Sequence, residues 1–305
     1  MVCPRNAVSS SCTVNRRITS TGGALSIQPG GETRTTLTSL FLAALLLVGC
    51  GGAPGSQEDP EGEIGIAPSD LVSVNALNMN ALNMSAIDTN ALSMNALSPT
   101  NFAAMQAPTT SGALARQLFK YAVSCALEPS QSSSLTWTDE WSVVHQDTYR
   151  GLLGLAPGWE TRPLISSEQA WVSACLIARV NWYGVSVTIS ARGATSGLNV
   201  TDPGELLTYA HEEGAFWGNL FGESPHAYSC SNVLQDGFSR SRLRDCAAGH
   251  LTSQATVDCG MFLRLGSCNG TCIPFTNSGG YHPGCRDETG SSAKLSTAVV
   301  TIFLQ

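Results

Sequence analysis

The sequence predicts an α+β fold: two N-terminal helices and a small, mainly antiparallel sheet, disulfide-stabilised and preceded by a disordered linker. Three observations carry that prediction. Residues 113–127, ALARQLFKYAVSCAL, and 168–180, EQAWVSACLIARV, are apolar at helical spacing. Short β-prone runs punctuated by Gly, Pro and Asn follow them. Eight cysteines lie beyond residue 110, an even number suited to four bridges.

In the first helix Leu114, Leu118, Ala122, Cys125 and Ala126 share a face, and Glu128-Pro129 ends it. SLTWT (134–138) reads as a strand, and GLLGLAPGWETRP (151–163) as a loop with apolar anchors. Ser166 is the expected N-cap of the second helix. GVSVTISAR (184–192) alternates, with Val185, Val187 and Ile189 on one face. EGAFWGNLFG (213–222), CGMFLRLGSC (259–268) and TAVVTIFLQ (297–305) complete the strands. A cysteine-rich domain over 111–305 is long enough to bury a sizeable core.

The first 49 residues read as an export signal. Arg5, Arg16, Arg17 and Arg34 precede the apolar run LTSLFLAALLLVG (37–49), which is short for a membrane span. The run ends in Leu47-Val48-Gly49-Cys50, which resembles the bacterial lipobox. That resemblance implies lipid on the Cys50 sulfur, a mature N-terminus there, and a soluble domain anchored at a membrane surface. Gly51 and Gly52, with no Asp, imply the outer membrane by the enterobacterial sorting rule.

Four of the 16 Lys and Arg and one of the 23 Asp and Glu precede Cys50. The remaining 12 and 22 give a formal charge of −10. So acidic a chain is poorly suited to nucleic acid. Cys125, Cys175, Cys230, Cys246, Cys259, Cys268, Cys272 and Cys285 are expected as disulfides in an oxidising compartment. Cys125–Cys175 and Cys230–Cys246 are the favoured pairs, with the last four cysteines bridging among themselves. A zinc site from Cys268, Cys272, Cys259 and Cys285 has workable spacing, but export selects disulfides. No metal and no cofactor is expected.

Residues 50–110 are expected to form a tether. GGAPGSQEDPEGEIGIAPSD (51–70) has linker composition. NALNMNALNMSAIDTNALSMNAL (75–97) then repeats every five residues, with Leu77, Leu82, Ile87, Leu92 and Leu97 in one phase. Five residues advance a helix by about 500°, so no apolar stripe forms. On a strand an odd period sends successive Leu to opposite faces. The segment resembles the pentapeptide-repeat family, whose square β-helix would suit the period. Its Asn-Ala-Leu order departs from that family's motif, and the array is short. A spacer that orders only by docking is the expectation.

Chemical motifs are sparse. His211-Glu212-Glu213 lacks the second His of a zinc-protease helix, since position 215 is Ala. His226, His250 or His282 would have to complete any metal site there, and a polar surface at a helix–strand junction is the simpler reading. No G-x-S-x-G occurs. Arg240, Arg242 and Arg244 would share one face of an extended segment and grip a carboxylate or phosphate. Trp159 and Trp217 are the expected exposed pair for stacking on a sugar.

The lipobox, the repeat and the blocks YAVSCAL (121–127), GLAPGW (154–159), WVSACLIARVNWYGV (171–185), EGAFWGNLFG (213–222), RDCAAGH (244–250) and CGM (259–261) resemble a group of predicted myxobacterial lipoproteins. The resemblance implies the localisation and the domain boundary; it carries no catalytic residue over. The expected function is a membrane-anchored cell-envelope module, binding or structural, with a glycan or an envelope protein as partner. The alternative is an extracellular hydrolase with an unrecognised site.

Overall fold

The structure, a computed structural model, describes residues 72–75, 77–79, 81, 95–99, 103–222, 224–275, 278–287 and 293–305. The leader, Cys50, the 51–70 linker and most repeat positions lie outside the described residues. The fold is α+β, with four disulfides and a mainly antiparallel sheet.

Its centre is a six-stranded sheet. The strands are β1 (Val72–Asn75), β6 (Val187–Arg192), β14 (Val300–Leu304), β7 (His211–Asn219), β8 (His226–Ser231) and β11 (Phe262–Ser267), in that spatial order. Every pairing is antiparallel except β8–β11. A two-residue ladder joins β2 (Leu77–Asn78) to β5 (Val180–Asn181). The strands β3 (Ser132–Thr138) and β4 (Val144–Arg150) pair only with each other, as a hairpin.

A short helix, α1 (Ala103–Gln106), precedes the first predicted helix. That helix is α2 (Thr110–Ala126), capped by Thr109 Oγ1, which accepts from the Gly112 N–H at 3.2 Å. The second is α3 (Ser166–Ala178). Ile165 takes the cap position expected of Ser166, and its N–H donates to the Glu168 carboxylate at 3.1 Å. Glu168 in turn receives both ends of Arg162, at 2.6 and 2.8 Å. From Val172 to Ala178 every residue of α3 is buried, as befits a helix laid across β7 and β14. Cys125–Cys175 ties the two helices together as expected.

The domain begins earlier than residue 111. β1 adds an edge strand to the main sheet, with Val72 opposite Ser190, and Leu77 faces Val180 across the small ladder. Leu77 and Leu97, both in the repeat's Leu phase, are buried in the main core. The described repeat residues therefore do not behave as a free spacer. A five-residue period fails as a regular stripe, yet isolated Leu side chains still find separate pockets on a finished core.

The remaining cysteines pair as Cys230–Cys268, Cys246–Cys259 and Cys272–Cys285. This corrects the expected Cys230–Cys246 bridge. Cys230 lies on β8, whose parallel neighbour β11 ends immediately before Cys268. Strand pairing, which links distant segments, overrode proximity in sequence.

Candidate functional site

Trp159 and Trp217 are 0% and 1% exposed, so they form no exposed sugar platform. Trp159 stands edge-on to Phe221 at 5.7 Å. Its indole N–H donates to the Asn95 carbonyl at 3.1 Å, and its own carbonyl accepts from the Leu97 N–H at 2.7 Å. It is the socket for the end of the repeat. Trp217 lies on β7, where Glu213 to Gly218 are all buried. A central strand covered on both faces loses its polar side, so alternation gave no warning.

The arginine triplet is also dispersed. Arg240 lies on α4 (Asp236–Ser241), a helix rather than an extended segment. Leu243 has φ 58°, and the chain then turns inward. Arg244 is buried and donates to Glu213 Oε2 from Nε at 3.0 Å and from Nη2 at 2.8 Å. It also donates to the carbonyls of Val180 and Ala178, at 2.8 and 2.9 Å, near the C-terminal end of α3. Burial pushes the Glu213 carboxyl above its ordinary value, and Arg244 works against that rise. Arg242 stays at the surface, 5.2 Å over the Phe238 ring. Arg240 donates to the carbonyls of Ala248 and Gly249.

The 211–213 triplet splits along β7. His211 is exposed against Phe238, at 4.3 Å. Glu212 accepts from His282 Nε2 at 2.9 Å, and Glu213 is interior, correcting its expected place on the surface. A separate pocket of about 420 Å³ beside Glu128, Leu153 and Ser196 holds one titratable group, Glu128, and so offers no acid–base pair.

The described residues do assemble another site, around His250. Asp245 follows the buried Arg244 and is pinned by the adjoining Cys246–Cys259 bridge. Gly249, at φ +76°, turns the chain into β9 (His250–Leu251), which pairs with β10 (Thr256–Val257). A side chain at Gly249 would strike Thr256 and the Arg264 guanidinium, so glycine is required there. His250 Nδ1 meets Asp245 Oδ2 at 2.6 Å. Trp182 stacks on the imidazole at 4.0 Å and 9°. Tyr183 stands edge-on at 5.7 Å, and its hydroxyl donates to the same Asp245 oxygen at 3.2 Å. Burial, then the Asp245 carboxylate, raises the Tyr183 hydroxyl above its ordinary value.

Asn181 fixes this turn. Its Oδ1 accepts from the Tyr183 N–H, and its Nδ2 donates to the Val185 carbonyl, each at 2.8 Å. In the neutral ring, a carboxylate on Nδ1 holds the proton there and leaves Nε2 as an acceptor; Nε2 has no partner among the described residues. Asp245 Oδ1 is buried without a hydrogen bond. The result is a half-exposed aromatic face with one oriented imidazole, able to stack on an apolar ring face and accept one hydrogen bond. No sequence signal marked it, because Trp182 and His250 lie far apart in the chain. Comparison with protein-family models, with curated proteins and with solved structures finds no match.

Proposed function

We propose that this chain is a cell-envelope binding module, held at the outer membrane by lipid on Cys50, that takes a glycan on the Trp182–Tyr183–His250 face. The observation that carries the ligand reading is the Trp182–His250 stack with Nε2 directed by Asp245. Rings supply area at low entropy cost, and one oriented polar atom supplies register. The leader and lipobox residues support the anchor, and four disulfides suit an oxidising compartment.

The same dyad favours a second reading, a hydrolase with His250 as general base and Asp245 as its orienting group. Titration of tryptophan fluorescence with soluble N-acetylated oligosaccharides separates the two. Binding predicts a saturable change that weakens about tenfold or more in Tyr183→Ala, a loss of roughly 1.4 kcal/mol, with the sugar recovered intact. Cleavage that disappears in His250→Gln selects the hydrolase, and no response to any oligosaccharide rejects the glycan. Intact mass of protein taken from native membranes tests the lipid on Cys50.

A further inference from the structure

Two disulfides share one buried volume beneath β7 and β8. Cys230–Cys268 and Cys272–Cys285 are separate bonds, yet Cys230 Sγ lies 3.4 Å from Cys272 Sγ. The sulfurs of Cys230, Cys272 and Cys285 all lie within 4.8 Å of one another. Cys268 falls outside that group. Its sulfur instead lies within 4.8 Å of a Glu212 carboxylate oxygen and a His282 ring nitrogen.

His282 is buried, with Nδ1 against the Ile273 carbonyl at 2.8 Å and Nε2 against Glu212 Oε1 at 2.9 Å. A carbonyl and a carboxylate both accept, so both ring nitrogens are set to donate and the pair holds a proton between them. A dyad of that kind beside a sulfur can hand its shared proton to that sulfur as it leaves a disulfide.

We propose that the two bridges form an exchange-coupled pair, in which reduction of Cys272–Cys285 is passed on to release Cys268. An external dithiol, small or protein-borne, attacks Cys272, the least buried of the four sulfurs' residues. It leaves as a disulfide, and Cys272 and Cys285 become thiols. The Cys272 thiolate then attacks Cys230 Sγ, at a separation within the roughly 3–3.5 Å of a near-attack arrangement. The Cys230–Cys272 bond forms, the Cys230–Cys268 bond breaks, and the electron pair leaves on Cys268. The proton given up by Cys272 is balanced by one taken up at Cys268, beside His282. Two electrons enter, and the final state has one bridge, Cys230–Cys272, with Cys268 and Cys285 free.

The test is limited reduction of the full chain with dithiothreitol, an acid quench, alkylation and non-reducing peptide mapping. The expected product carries label on Cys285 and Cys268 with a Cys230–Cys272 bridge. A one-bridge product labelled on Cys272 and Cys285, with Cys230–Cys268 intact, overturns the proposal. Cys285→Ser gives an independent reading: Cys230–Cys272 should appear without any reductant, and an exclusive Cys230–Cys268 bridge counts against exchange. His282→Asn should slow Cys268 labelling about tenfold relative to Cys285, because it removes help to the leaving sulfur; equal rates would remove the dyad from the scheme.

Discussion

Two regions of this molecule are held together by different means. Around α2 and α3 the interior is large and apolar: Leu118, Phe119, Val123, Leu127, Val172, Leu176 and Ile177 are all buried, with Trp159 and Phe221 beside them. One disulfide, Cys125–Cys175, is added to that packing. Between His226 and Arg286, by contrast, the buried apolar residues among those described are alanine and cysteine apart from Phe262. Leu234, Val233, Leu251 and Leu263 there face solvent, and three disulfides close the loops. A segment that buries little apolar area cannot offset its chain entropy by packing, and covalent closure substitutes. Both candidate centres, the His250 face and the sulfur cluster, lie in or against the stapled region. There, side chains are positioned without being enclosed by a thick core.

The largest test of this contrast is full reduction followed by hydrogen exchange. Two of the three C-terminal bridges close 13-residue separations, worth about 3 kcal/mol each in the chain-entropy account. Residues 226–287 should lose protection first, while α2 and α3 keep theirs. Simultaneous loss throughout would mean that the helical layer also depends on the staples.

A smaller effect sharpens the packed side. Leu77→Ala should cost about 2–4 kcal/mol in denaturant unfolding, as a filled core site does. It should also open the chain at β1 and β2 to protease before the rest of the domain. Stability unchanged from the parent would return the repeat to the role of a spacer.

The smallest is a surface pair at the start of α3. Arg162 holds the Glu168 carboxyl below its ordinary range, chiefly through their hydrogen bonds. A folded pKa below the unfolded one gives stability that is present above the unfolded value and lost as pH falls through the folded value. Glu168→Gln should therefore remove about 0.5 kcal/mol at pH 7, since the pair is solvent-screened, and should flatten the acid limb of the stability curve. An unchanged acid limb would remove this pair from the account.

Much of the fold was legible. Helical spacing placed α2 and α3 within three residues of their ends, and the runs at 134–138, 184–192, 213–222, 259–268 and 297–305 each overlap an observed strand. β4 escaped because VHQDTYR carries no apolar face; it pairs with β3 in a largely exposed hairpin. The site was not legible. Trp159 looked exposed in its glycine and proline loop, and Trp217 beside Gly218 and Asn219, whereas the tertiary fold covers both.

The sequence by itself determined what is local: helix spacing, strand propensity, and cysteines numerous and even enough for complete bridging. Those properties depend on neighbours a few residues away. Only the tertiary structure decided which sulfur Cys230 meets, which tryptophans are covered, that Arg244 turns inward to Glu213, and that Leu77 and Leu97 dock. Each of these depends on strand order and on which surfaces meet, and sequence separation does not encode either. The five-residue repeat shows the division most clearly. Its period excluded a regular amphipathic element, but whether Leu77 and Leu97 stay in water or enter a core was settled by the sockets beside Val180 and Trp159.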